Sequence, residues 1–89
     1  MLYMVIEHFN GNTKEVYDRF KEKGRMMPEG LTYVASWTEA NGERCFQVME
    51  CDNSALLQEW ATNWEDIVDY EFIPVLSSKE MSEKMANQL

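Results

Sequence analysis

His8, Arg44 and Cys45 are the residues of this chain whose types most readily support chemistry at neutral pH. His8 is the only histidine, and an imidazole exchanges its proton near neutrality, as a general acid or base must. Arg44 carries a planar fork that can clamp a carboxylate or phosphate, or hold an anion that develops during a reaction. Cys45 follows it directly, where a neighbouring cation can lower a thiol's pKa and make it a nucleophile. Trp37 and Trp64 supply aromatic walls, and either can sit against the Arg44 cation. Each residue also has a plainer reading. His8 can be a hydrogen-bonded strand end, and Cys45 a buried, inert thiol. Arg44 can be a surface ion pair with Glu39, Glu43 or Asp69, which the acid-rich turn favours. Glu50 shares a face with Arg44 in a regular strand and is either a buried carboxylate or a solvated strand end. The chain has no Gly-rich phosphate loop, no Cys-x-x-Cys and no second histidine, so no cofactor and no metal is expected.

These residues need elements to hold them. Leu2 to Phe9 is β-branched and aromatic and stops at Asn10-Gly11-Asn12, which reads as a central strand apolar on both faces. Asn12 and Glu15 have the spacing of a capping box, and Val16, Tyr17 and Phe20 follow at helical spacing. Gly24 ends this helix, and Pro28 and Gly30 complete a turn. Leu31 to Glu39 alternates, with Leu31, Tyr33, Ala35 and Trp37 on one face unless a bulge exchanges them. Asn41-Gly42 marks a hairpin into a third strand, Arg44 to Cys51. Asp52-Asn53-Ser54 can cap a second helix, whose apolar stripe includes Leu57, Trp60 and Trp64. Ile67 to Leu76 reads as a fourth strand, placed at an edge by Pro74. Ser77 to Glu80 is a capping box for a tail helix carrying Met81, Met85 and Leu89.

The order predicts an α+β, ferredoxin-like βαββαβ domain over residues 1–76, with a helical tail over 77–89. Its four-stranded antiparallel sheet runs 4-1-3-2 with the two main helices on one face. One end of that sheet collects His8, Trp37, Arg44, Cys45 and Trp64, together with Glu39, Asp66 and Asp69. The uncovered face is apolar too, which a stable monomer rarely tolerates. A homodimer packed sheet on sheet is therefore expected.

Composition narrows the partners. Sixteen acids against eight bases give a net charge of −8 over 89 residues, which repels nucleic acid and anionic membranes. Cys45 and Cys51 on one strand stand about 20 Å apart at ~3.3 Å per residue, too far to bridge. Reduced thiols and an N-terminus that reads as a strand rather than a signal peptide make a cytoplasmic location the expectation.

Several segments resemble a known family: Met-x-x-Met-x-x-Glu-His-Phe at the start, Trp37, Arg44-Cys45-Phe46-Gln47, Glu50, Leu56 to Trp60, and Phe72 to Val75. They look like the small proteins grouped as a domain of unknown function among the dimeric α+β barrels, with the likeness covering roughly residues 1–76. The wider group includes cofactor-free monooxygenases, haem-degrading enzymes, muconolactone isomerases and ligand-sensing domains. The resemblance implies the dimer and supplies no catalytic residue, because fold does not fix function. The leading expectation is a domain that binds a small anionic or aromatic molecule, with Trp37, Arg44, Cys45 and Trp64 lining the site. A cofactor-independent isomerase or monooxygenase with His8 as acid/base and Arg44 as anion holder is the second. A structural or protein-interaction module is the third.

Overall fold

The computed structural model describes residues 1–88. Its strands are β1 (Leu2–His8), β2 (Thr32–Thr38), β3 (Arg44–Glu50) and β4 (Asp69–Val75). Its helices are α1 (Thr13–Lys23), α2 (Ala55–Ala61) and α3 (Ser78–Ala86). The strands form one antiparallel sheet in the order β2-β3-β1-β4, which is 4-1-3-2 read from the other edge. The fold is α+β and ferredoxin-like. β1 is central, as its apolar faces require, and Pro74 lies in the edge strand β4, where its missing N–H breaks no interior ladder.

The register sorts side chains between two faces. Tyr3, Val5 and Glu7 of β1 pair with Met49, Gln47 and Cys45 of β3, and with Pro74, Phe72 and Tyr70 of β4. This face lies under α1 and α2: Val5, Phe9, Met49, Leu57, Trp60 and Trp64 join one buried core. The opposite face carries Met4, Ile6 and His8, with Val48, Phe46 and Arg44 beside them. We call it the open face. α3 buries none of its residues, and Trp37, at 61% exposure, is among the most exposed large side chains.

Strand β2 departs from simple alternation. Its pairing with β3 slips between Tyr33 and Ala35, leaving Val34 as the extra residue of a bulge. Tyr33 and Ser36 therefore share the covered face, where Tyr33 Oη and Ser36 Oγ lie 2.8 Å apart. Ala35 and Trp37 pair with Val48 and Phe46 on the open face. The alternation expected from the sequence holds from Ala35 onward but puts Tyr33 on the wrong side.

The helix starts differ in the same instructive way. Asn12 does stand at the N-cap of α1 but makes no side-chain cap. Its amide instead donates to the Ile67 carbonyl (3.2 Å), tying α1 to the loop before β4. Ser77 forms the complete capping box: Glu80 N–H donates to Ser77 Oγ (3.0 Å), and Ser77 N–H to Glu80 Oε1 (3.2 Å). Leu89 lies outside the described residues. Cys45 and Cys51 are both buried and unbridged. No helix among the described residues is long and apolar enough to cross a membrane.

Candidate functional site

The residues singled out from sequence separate onto the two faces. His8 and Arg44 are direct cross-strand partners and border a polar cleft with Asn10, Thr13 and Asn41 at the end of the sheet. Both side chains are engaged. His8 Nε2 lies 2.8 Å from Glu71 Oε2, and Arg44 donates through Nε and Nη2 to the two carboxylate oxygens of Glu39 (2.5 and 3.1 Å). The Arg44 guanidinium holds the Glu39 carboxyl below the usual carboxylate range. Trp37 lies on the same open face. Cys45 and Trp64 lie behind the sheet, on the helix side, in the wall of a different cavity.

That cavity, of about 160 Å³, lies between the covered face and α1 and α2. Phe9, Trp60, Trp64 and Tyr70 form aromatic walls, while Glu7, Arg25, Cys45 and Gln47 supply polar groups. Tyr17, Phe20 and Thr38 also line it and are exposed, so it opens between α1 and β2. A hydrogen bond between Tyr17 Oη and Thr38 Oγ1 (2.9 Å) spans that mouth.

Glu7 is the unusual member. It is a carboxyl in a central strand, in phase with Val5 and Phe9, and only 8% exposed. Among the described residues no hydrogen bond or ion pair engages its side chain, and it faces the cavity. Buried carboxyls normally find partners, because desolvating a charged oxygen is expensive. Burial pushes its pKa up to about 7, against a smaller opposing pull from the Arg25 cation. The carboxyl therefore exchanges its proton near neutral pH.

Arg25 is held from both sides. It occupies the α1–β2 loop, next to Met26 at φ 58°, a conformation costing a side-chain-bearing residue about 1–2 kcal/mol. Three bonds from the α2 region fix this loop. The indole N–H groups of Trp60 and Trp64 both donate to the Arg25 carbonyl (2.9 and 3.1 Å), and the Asn63 amide donates to the Met26 carbonyl (3.0 Å). The guanidinium stacks over Tyr33, 3.8 Å from the ring centroid, and lies 5.0 Å from that of Phe20. No carboxylate among the described residues pairs with it. The tryptophans thus do more than fill the core: they place the cavity's cation.

The remaining polar groups are fixed in one protonation state. Burial, then Glu7, pushes the Cys45 thiol up, opposite to the shift a nucleophilic thiolate needs. Burial, then Glu7 and Cys45, pushes the Tyr70 phenol up as well. Both remain neutral donors at physiological pH. No three His, Cys, Asp or Glu side chains among the described residues cluster as metal ligands.

Glu7 and Arg25 were not among the residues that sequence singled out. For Glu7 a signal existed: in the series Tyr3, Val5, Glu7, Phe9 a single carboxyl shares the parity of apolar residues in a strand too apolar to be an edge. Arg25 gave none, since its position depends on indole bonds from residues 35 and 39 positions away.

Fold and cavity together define a ferredoxin-like α+β domain with an aromatic-walled pocket that opens between α1 and β2 and holds a carboxyl without a protein partner. The chain belongs to the family described as a domain of unknown function (DUF3303), whose model matches residues 1–89 and so takes in the tail helix. No curated protein and no solved structure matches it.

Proposed function

We propose that this domain binds a small, single-ring molecule with an anionic or hydrogen-bonding substituent, in the cavity between sheet and helices. The observation that carries this reading is the Glu7 side chain, 8% exposed and lining the cavity, with no hydrogen bond or ion pair among the described residues and with its oxygens reached only through that cavity's mouth. A ligand that supplies the missing partner offsets the desolvation of that group. The cavity's volume suits the ligand class: about 150 Å³ is space for one benzene ring, and the opening between α1 and β2 leaves room for a substituent. Aromatic walls favour such a ring, and Arg25 favours an anionic substituent. Of the residues expected to bind ligand, Cys45 and Trp64 belong to this site, whereas Trp37 and Arg44 border the open face.

The functional unit is a homodimer. Met4, Ile6, Phe46, Val48 and Ile73 are apolar, lie on the open face, and are half-buried or exposed. A second copy covers such a face by the same patch on both partners. A cytoplasmic location accords with two unbridged thiols.

Native mass spectrometry and a titration test these two statements separately. The expected mass is twice that of the chain. Benzoate, phenol and phenylpyruvate, added in turn, are expected to shift the indole N–H resonances of Trp60 and Trp64. If none of the three perturbs either resonance, the cavity is not the binding site.

A further inference from the structure

We infer that the cavity catalyses proton transfer on a small aryl-substituted, enolisable carbonyl compound, with Glu7 moving the proton and Arg25 and Tyr70 stabilising the enolate oxygen. The inference rests on the binding site proposed above and adds a reaction to it.

The groups present limit the chemistry. Cys45 and Tyr70 stay protonated, and Arg25 supplies the guanidinium. Glu7 alone among these four changes its protonation near neutral pH, and no neighbour shares its proton. A site with one exchangeable proton, one fixed cation and neutral donors is equipped to take a proton from one atom and return it to another. Arg25 and Tyr70 both line the cavity, so both are placed to meet a negative charge that develops there. Donors and cations held in place before the reaction stabilise a developing charge without reorganising. The indole clamp on the Arg25 backbone supplies that rigidity.

The step balances without a co-reactant. The Glu7 carboxylate takes a proton from the carbon next to the carbonyl. The C–H electron pair becomes the C=C bond, and the carbonyl π pair moves to oxygen as an enolate beside Arg25 and Tyr70. Glu7 then returns the proton to oxygen, giving the enol, or to carbon, giving back the ketone. Substrate and product are isomers.

Phenylpyruvate is the probe, because it has one ring, an enolisable methylene and a carboxylate. The full-length protein in D2O is expected to exchange the methylene protons of phenylpyruvate, followed by NMR, faster than buffer alone. Glu7→Gln should lower this enhancement roughly 10²- to 10⁴-fold, the usual worth of a positioned acid/base. Glu7→Asp, which keeps a carboxyl on a shorter arm, should retain part of it. The wild-type rate should rise with pH and level off above about 7. The groups that set this profile are those around Glu7: Arg25 from the α1–β2 loop, Cys45 of β3 and Tyr70 of β4. The profile needs no variant, so it tests the inference even if Glu7→Gln fails to fold. Indole shifts without accelerated exchange overturn the inference and leave the binding site standing. Unshifted indoles overturn both. Full activity in a folded Glu7→Gln protein removes Glu7 from its role and overturns the inference as well.

Discussion

The two faces of the sheet treat charge in opposite ways. On the open face, His8 meets Glu71 and Arg44 meets Glu39, each pair in contact with water. On the covered face, Glu7 is buried without a partner, and Arg25 stacks on Tyr33 rather than on an acid. Exposed pairs are screened, and their members are easily replaced by water. A carboxyl that reaches water only through a narrow cavity is partly desolvated, and the fold must offset that cost. The face with the more familiar catalytic residue types is therefore the electrostatically quiet one, and the helix-covered face holds the strained chemistry.

The contrast is tested most severely at Trp60. This side chain is 2% exposed, stacks edge-on against Tyr70 at 5.1 Å and donates to the Arg25 carbonyl. Trp60→Ala is expected to lower stability by about 3–5 kcal/mol in denaturant titrations, a large share of the total for a small domain. It should also abolish ligand-induced shifts at Trp64, because the Arg25 loop loses a tether. A loss under about 1 kcal/mol would mean that the covered face is not the tightly packed one.

Glu7→Gln should act in the opposite direction. The native carboxyl titrates at about 7 against a reference value of 4.5, so between those values the folded state holds the proton more tightly than the unfolded chain does. The stability contributed by this group is complete below about 4.5, declines as pH rises, and is gone above about 7. The gap corresponds to about 3 kcal/mol. Glu7→Gln should therefore match wild type near pH 4.5 and exceed it by up to about 3 kcal/mol at pH 8. The difference between the two proteins is the quantity to follow, because Glu39 and Asp66, whose carboxyls are lowered by arginines, titrate with the opposite sign in both. Equal stability at pH 8 would show that Glu7 is solvated or paired in solution.

How far the sequence could be read follows from how local each determinant is. The Asn41-Gly42 hairpin and the Ser77 capping box rest on residues near one another in the chain, and strand order follows from the sequence of elements and the topology rules for a split βαβ unit. The cross-strand meeting of His8 and Arg44 followed from topology alone. The β2 bulge was not legible, since Val34 fits an alternating pattern as well as its neighbours do. Asn12 was read as a helix cap because its partner, the Ile67 carbonyl, lies 55 positions away. The candidate site was the least legible part. Which face each strand residue takes depends on register, and Arg25 enters the cavity only through bonds from Trp60 and Trp64.

On the open face, Trp37 tests the proposed dimer. At 61% exposure it contributes little to the packing of a single chain, so Trp37→Lys should leave the unfolding midpoint of the monomer almost unchanged. Light scattering should nevertheless show the mass falling from twice the chain to once, because a lysine at a self-complementary contact appears on both partners. A dimer that survives would place its contact elsewhere than around Trp37 and Phe46.

Arg44→Ala should have the smallest effect of all. Its two bonds to Glu39 look strong by distance, but 43% of the arginine side-chain surface remains accessible to solvent. Water and salt replace such a partner at little loss, and Glu39 is itself free to hydrate when the guanidinium is removed. Arg44 also lies behind the sheet from the cavity, since Cys45, its neighbour in β3, takes the covered face. The expected result is an unfolding midpoint and a ligand titration that both overlay wild type. A clear loss of affinity for benzoate or phenylpyruvate would mean that the cleft bordered by His8 and Arg44 binds the ligand. The roles of the two faces would then be reversed, with the paired charges of the open face held ready for an anion and Glu7 left as a buried charge without a ligand.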